Sequence, residues 1–457
     1  MRKELFGTDG IRGVAGEPPL DPRTIFVIGR CLGEFLRPRS PAPRVAVAED
    51  PRESSHWIAE TLAAGLKEAG VAVGTPGVLT TPGLAYLTAA EQFTAGVMVS
   101  ASHNPYQDNG LKVFGSDGFK LPDRDELQVE QQILAALRNG RGPQPYREPL
   151  PPNRALGQPY LEFLRQRASG ILPTPARRVV LDCANGSAAI VAHEVFDSSG
   201  PKWIWVADAP DGRNINRGCG SLHLENLRAA VLETKADLGV AFDGDADRAL
   251  FVSSAGRVVN GDAVLLIASR YLRERGALRA GVVVGTTMSN LGLERALAQD
   301  GVRLLRTPVG DKYVLEEMLR CGANLGGEQS GHIIFRDLAT TGDGLLTAIE
   351  ILRILSEKQK TLEQLTEGWE EFPQAIRNVR VREKIPLEQL PAVMEQIHAS
   401  ERSLGTTGRV VVRYSGTEPL VRVMVEAQSA ALVEQHTGTI ARALEQALGS
   451  EPSSGSR

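Results

Sequence analysis

The chain has 457 residues, 42% of them hydrophobic and 23% charged, with a formal net charge of −4. That length exceeds a single hydrophobic core and predicts three or four domains at roughly 100–200 residues each. The near-neutral balance, without a long basic run, argues against nucleic acid or an anionic membrane as a main partner, and no apolar stretch approaches the ~18 residues of a membrane span. The opening Met1–Gly7 lacks the apolar core of a signal peptide. Cys31, Cys183, Cys219 and Cys321 are far apart with no CxxC pair, which points to a reduced cytoplasm and against a zinc site or disulfide framework.

In chain order, the first strand–helix–strand unit is predicted at Arg44–Ala48, Ser55–Ala69 and Val71–Val73. A strand over Ala95–Val99 then runs into Ser100-Ala101-Ser102-His103-Asn104-Pro105. Gly142–Pro159 is Pro-rich and reads as a linker. The second unit is predicted at Arg178–Asp182, Ala188–Ser198 and Lys202–Val206. Asp237–Phe242 and Ala249–Val252 read as buried strands on either side of Asp243-Gly244-Asp245-Ala246-Asp247-Arg248, and a weaker break falls near Ser253–Gly256. The third unit is predicted at Gly281–Val284, Asn290–Leu297 and Val302–Leu305, followed by the Gly-rich loop Gly326–His332. Three such units favour right-handed crossovers and largely parallel sheets. The remainder differs. Strands Ala375–Val381, Arg409–Tyr414 and Leu420–Glu426 with helices Leu387–Ser400 and Ala430–Leu448 predict a smaller α+β domain, and the polar tail after Leu448 is predicted to be disordered. The domain limits read from this are 1–154, 155–254, 255–370 and 371–448, with the tail at 449–457.

The loop at 243–248 carries most of the chemistry. Three carboxylates alternate over five positions at a strand end, where their repulsion calls for a cation; all-oxygen ligands favour a hard divalent ion such as Mg²⁺. Arg248 cannot ligate a metal but can hold a phosphate oxygen. An EF-hand is excluded, because its sixth and twelfth positions need Gly and Glu and here hold Arg248 and Ser254. A solvated acidic turn stays open as the plain alternative.

The other loops are suggestive singly. Ser102 could be a nucleophile with His103 or Lys112 nearby for proton transfer, although the segment also reads as an Asn-Pro turn with capping serines; neither a Gly-x-Ser-x-Gly elbow nor a Gly-Lys phosphate loop is present. Glu328, Ser330 and His332 suit a polyhydroxylated ligand, or form a Gly-rich connector. Arg413, Ser415, Gly416, Thr417 and, on the next strand, Arg422 could make an anion nest, or a polar hairpin.

Together these motifs resemble the α-D-phosphohexomutase family. Phe6-Gly7-Thr8-Asp9-Gly10-Ile11-Arg12-Gly13, Ser102–Pro105, Asp243–Arg248, Gly327–His332 and Ser415–Pro419 match in order, over roughly residues 3–445. Asn214–Asn216, Met288–Glu294, Val309–Val314 and Thr340–Gly344 are most similar to the branch acting on glucosamine phosphates. The resemblance implies three α/β domains with mixed sheets and a smaller fourth around a central cleft. It implies interconversion of glucosamine 6- and 1-phosphate through phosphorylation of Ser102, with glucosamine 1,6-bisphosphate as intermediate or activator.

By the same resemblance, Ser102, Asp243, Asp245 and Asp247 would bind one Mg²⁺, and Arg248 and His103 would touch the transferring phosphoryl group. Lys112, Arg12 and His332 would manage protons and charge, and Glu328 and Ser330 would hold sugar hydroxyls. Arg413, Ser415, Gly416, Thr417 and Arg422 would hold the other phosphate. The partner implied is a small sugar phosphate, in the cytoplasm, with room for a homodimer. Four features depart from the pattern: Ala246 stands where this branch often has Gly, Tyr414 and Thr80 where Pro is usual, and Glu49-Asp50-Pro51-Arg52 varies the usual Asp-Thr-Arg.

Overall fold

The computed structural model describes residues 3–7, 9–139, 146–171, 178–196, 201–415 and 419–449. The apolar runs of the sequence become the centres of α/β sheets. The first sheet holds β1 (Ile11–Val14), β2 (Arg44–Glu49), β3 (Ala72–Val78), β4 (Ala95–Val99) and β5 (Asp108–Gly115), in the order β1-β5-β4-β2-β3. The second holds β6 (Arg178–Asp182), β7 (Lys202–Val206), β8 (Leu238–Phe242), β9 (Ala249–Ser253) and β10 (Val258–Val259), in the order β10-β9-β8-β6-β7. The third holds β11 (Val282–Thr286), β12 (Arg303–Thr307), β13 (Leu325–Gly327) and β14 (Ile333–Phe335), in the order β12-β11-β13-β14.

These three sheets repeat one plan. In the first two, β2 and β6 lie parallel to both of the strands that follow them; in the third, β11 lies parallel to β13. The next strand in each sheet, β5, β9 or β14, returns antiparallel. A parallel return needs a crossover, whereas these connections are loops too short for one. The loops are those holding Ser102, Asp243–Arg248 and Glu328–His332. Every residue of β4, β8 and β9 is buried, as their unbroken apolar sequences require. Ser253–Gly256 is the hairpin turn between β9 and β10, closed by the Gly256 amide on the Ser253 carbonyl at 2.8 Å.

Several helices were not singled out in the sequence, among them Pro22–Leu36, Thr81–Ala90 and Gly344–Lys358. Thr80 is the N-cap of the second; its Oγ1 accepts the Gly83 amide at 3.0 Å and donates to the Tyr160 hydroxyl at 3.3 Å, so threonine does here what a proline cannot. The predicted linker runs into a 3₁₀ turn at Arg154–Gly157 and a helix from Gln158, while its residues 142–145 lie outside the described residues.

The chain divides into two compact units, Met1–Thr286 with Leu305–Glu367, and Thr287–Leu304 with Gly368–Arg457. The second unit contains an antiparallel sheet of β15 (Gln374–Arg380), β16 (Gly408–Tyr414) and β17 (Leu420–Ala427), ordered β15-β17-β16. Val379, Val421, Val423 and Val425 pack with Val393, Ile440 and Leu444 from its helices. The predicted helix Leu387–Ser400 is a 3₁₀ turn, Leu387–Gln389, followed by an α-helix at Pro391–Leu404. Pro391 has no amide to donate, so it opens a helix rather than continuing one. Among the described residues no helix is long and apolar enough to cross a membrane.

Candidate active site

In the first unit the three equivalent loops meet. Ser102 follows β4, is 1% exposed, and donates from Oγ to Asp243 Oδ2 at 2.6 Å. Asp243, Asp245 and Asp247 follow β8, are buried, and bring one oxygen each within 4.8 Å of the others. Alternation places all three on the inner side of the loop, and Ala246 turns it at φ +55°. That left-handed conformation costs alanine more than glycine.

The loop also needs Gly244. A Cβ there would lie 2.5 Å from the Ser102 carbonyl oxygen and 2.8 Å from Ile215 Cδ1. Gly244→Ala should therefore push the acidic loop off Ser102 and cut kcat by on the order of 10²-fold, the cost of an ångström-scale misplacement. Steady-state kinetics check this, with circular dichroism confirming the fold.

The donor set fits a hard cation. Asp245 Oδ1 and Asp247 Oδ1 are buried without a hydrogen-bond partner. Burial, then Asp247 and Asp245, push the Asp243 carboxyl well above the usual carboxylate range. A divalent ion bound by the three carboxylates and the Ser102 oxygen would remove that repulsion. Part of the charge is already met by Lys112, 1% exposed, whose Nζ lies 2.8 Å from Asp245 Oδ2 and 3.2 Å from both Asp247 Oδ2 and Asp9 Oδ2. Burial opposes its charge, but Asp245, Asp9 and Asp247 outweigh burial and hold Lys112 as an ammonium. Asp247 is likewise held well below the usual range, with Lys112 and His332 overcoming burial. Arg248 Nε lies 3.9 Å from Asp243 and 3.8 Å from Asp247.

The other predicted residues of this unit gather around the same point. His103 Nδ1 lies 3.3 Å from Ser102 Oγ; burial, Arg248 and Arg12 push its imidazole down to about 4, so it is neutral at physiological pH. Arg12, on β1, pairs with Asp9, which in turn holds Lys112 and Lys120. His332 Nε2 accepts the Gly342 amide at 3.0 Å, so Nδ1 carries the proton of the neutral ring and faces Asp247 Oδ1 at 3.7 Å. Burial lowers the basicity of His332, while Asp247, Asp311 and Glu328 raise it and prevail. Glu328 Oε1 accepts the Gly310 amide at 3.1 Å, and Ser330 is half-buried in the same turn.

In the second unit, Arg413 and Arg422 face each other across β16 and β17. They line a cavity of about 210 Å³ with Met288, Ile376, Val411 and Met424. The Ser415 carbonyl accepts Lys384 Nζ at 2.7 Å, and the Tyr414 hydroxyl donates to the Ile385 carbonyl, tying down the strand end. Gly416 and Thr417 lie outside the described residues.

Sequence reasoning singled out neither Thr81, whose Oγ1 donates to Asp245 Oδ2 at 2.5 Å, nor Asp9, nor Asp311, which bonds Lys120 at 2.6 Å. It likewise assigned nothing to Asp50, Arg52 and Asn216 around the Ser102 loop. Asp9 and Asp311 sit inside quoted motifs, and an unbalanced carboxylate in a motif was the available signal.

Comparison with known proteins agrees with this geometry. Models of the phosphoglucomutase/phosphomannomutase α/β/α domains I, II and III match residues 3–139, 158–256 and 260–372, and that of the C-terminal domain matches 376–443. A phosphoglucosamine mutase of Koribacter versatilis is 52% identical over 98% of both chains. Among solved structures, a phosphoglucomutase/phosphomannomutase family protein of Burkholderia thailandensis superposes with a TM-score of 0.79 at 24% identity, over 98% of both chains. The N-acetylphosphoglucosamine mutase of Aspergillus fumigatus, in complex with GlcNAc-6P and magnesium, gives 0.66 at 18% identity, over 98% of this chain and 96% of that one. The chain belongs to the phosphoglucomutase/phosphomannomutase family and, within it, to the phosphoglucosamine mutases.

Proposed function

We propose that the protein interconverts glucosamine 6-phosphate and glucosamine 1-phosphate, with Ser102 as the phosphoryl carrier. The observation that carries this is a buried serine hydroxyl 2.6 Å from one carboxylate of a buried acidic triad, with a buried ammonium against the other two. That combination suits phosphoryl transfer, which asks for positioning and charge neutralisation rather than covalent ingenuity. Mg²⁺ held by Asp243, Asp245, Asp247 and the Ser102 oxygen would screen the attacking oxygen from the phosphoryl oxygens.

The chain's own groups do the rest. A sugar hydroxyl oxygen bonds to the phosphorus of phospho-Ser102 as the P–Oγ bond breaks; the electron pair goes to the serine oxygen, and the hydroxyl's proton passes to the neutral imidazole of His103. Lys112, already an ammonium, contributes charge and a donor rather than a base. His103, once charged by that proton, is in reach of Ser102 Oγ and passes it to the serine, while His332 balances charge near Asp247. Arg248 steadies the moving phosphoryl group, Arg12 supports that role through Asp9, and Glu328 and Ser330 hold sugar hydroxyls. The bisphosphate formed turns over and returns its other phosphate to Ser102. Arg413, Ser415, Gly416, Thr417 and Arg422 hold the phosphate that is not reacting, and the reaction belongs to the cytoplasm.

Turnover of glucosamine 6-phosphate well above that of glucose 1-phosphate in coupled assays supports this reading. The reverse order would replace it with a glucose or mannose phosphate mutase, the reading that Ala246 favours. Arg413 makes a charge-assisted contact worth about 1.5–3 kcal/mol, so Arg413→Ala should weaken sugar-phosphate binding roughly ten- to a hundredfold. Bisphosphate release, followed in the same assay, should rise with it.

A further inference from the structure

The loop that carries Ser102 is held from behind by groups that the chemistry above does not use. Ser102 sits at φ +52°, in the left-handed region, which is unfavourable for a residue with a Cβ and persists only where surroundings enforce it. That backbone is what aims Oγ at Asp243. The Ser102 carbonyl accepts two donors, Arg52 Nη2 at 2.9 Å and Asn216 Nδ2 at 2.9 Å. The Asn104 carbonyl accepts the same two, at 2.9 and 3.1 Å. Arg52 also donates from Nη1 to the carbonyls of Pro105 and Asp108, and its Nε bonds Asp50 Oδ2 at 2.9 Å, with both side chains at 0% exposure. Asp50 Oδ2 in turn accepts Ser100 Oγ at 2.7 Å.

Asn216 arrives from the second sheet's side of the site, in the stretch after β7. It is buried, sits at φ +58°, and is fixed by its own amide donating to the Ala184 carbonyl at 2.8 Å. A Cβ on Gly244 would lie 3.0 Å from Asn216 Nδ2, so the asparagine, the acidic loop and the Ser102 carbonyl converge with no space between them. Arg52 holds the serine loop to its own sheet, and Asn216 holds it to the sheet that carries the acidic triad.

We propose that Asn216 and Arg52 are positioning residues: a two-sided clamp on the carbonyls of Ser102 and Asn104 that enforces the strained serine and sets its distance from the acidic triad. The proposal rests on Ser102 being the phosphoryl carrier. Without the clamp, Ser102 relaxes to an ordinary backbone conformation and Oγ swings off Asp243, so the transfer step suffers while sugar-phosphate binding does not.

The test is Asn216→Gly, which keeps the left-handed backbone and removes the donor. Asn216→Asp keeps the shape and turns a carboxylate toward two carbonyl oxygens. Arg52→Lys keeps the charge beside Asp50 and loses the fork. Each should lower kcat by on the order of 10²-fold with KM within about threefold. Hydrogen–deuterium exchange of the peptide spanning 100–108 should quicken in each variant, with or without substrate. A kcat for Asn216→Gly or Asn216→Asp within about twofold of wild type, or unchanged exchange, overturns the clamp. A fall in melting temperature with kcat and KM both near wild type would mean that the asparagine serves only the fold, and it overturns the clamp equally. If wild type neither carries phosphate on Ser102 nor turns over sugar phosphate, the reading of Ser102 fails, and the exchange rates alone then decide whether the clamp exists.

Discussion

Ser102→Ala should be folded and inactive. The substitution removes a single oxygen from a fully packed loop, and alanine carries the same left-handed strain as serine, so the loop has no new reason to move. The lost hydrogen bond to Asp243 Oδ2 is worth about 1 kcal/mol, too little to unfold a domain of this size. The loss of turnover should be on the order of 10⁴-fold or more, as when a nucleophile is deleted elsewhere; the hydroxyl of Thr81, also at the triad, is committed to Asp245 Oδ2. Intact-protein mass spectrometry should find one phosphate on wild type after incubation with sugar bisphosphate and none on the variant. Appreciable turnover by the alanine protein would remove Ser102 from the mechanism.

Asp243→Asn should separate stability from activity. In the metal-free protein Asp243 is disfavoured by burial and by Asp247 and Asp245, so replacing it with a neutral isostere relieves repulsion, and the variant should melt at or above the wild-type temperature. Added Mg²⁺ should then raise the melting temperature of wild type through mass action and barely move that of the variant. Activity should fall at least about a hundredfold, in keeping with what lesser changes around a metal already cost. Wild type should stop in excess chelator and resume with Mg²⁺. Calorimetric melts with and without Mg²⁺ check the first half, and full turnover in excess chelator would eliminate the metal's role.

What could be read from the sequence follows from range. β4, β6 and Ala430–Leu448 fall on their predicted limits because each depends on a local pattern, a short apolar run or a long amphipathic one. Gly344–Lys358 went unmarked because it is buried on most of its faces, leaving no polar stripe for periodicity to detect. The site shows the same divide. Ser102 and the three aspartates declare themselves by residue type and spacing. Thr81 does not, since its partner Asp245 is 164 positions away, and a Thr-Pro pair reads equally well as a helix start, which it also is. Arg52 and Asn216 are invisible for the same reason: a guanidinium spread over four carbonyls has no signature short of the folded loop.

The repeated sheet plan puts the serine, the acidic triad and the Glu328–His332 turn at the same station, the link from the third strand of each unit to its antiparallel neighbour. Three copies of one framework thus present three chemically different turns at equivalent places. The strands beneath answer to packing and the turns to chemistry, so the two can change on separate schedules. On the roles proposed above, substitutions confined to the third turn would change the sugar held while the serine and acidic turns keep their places.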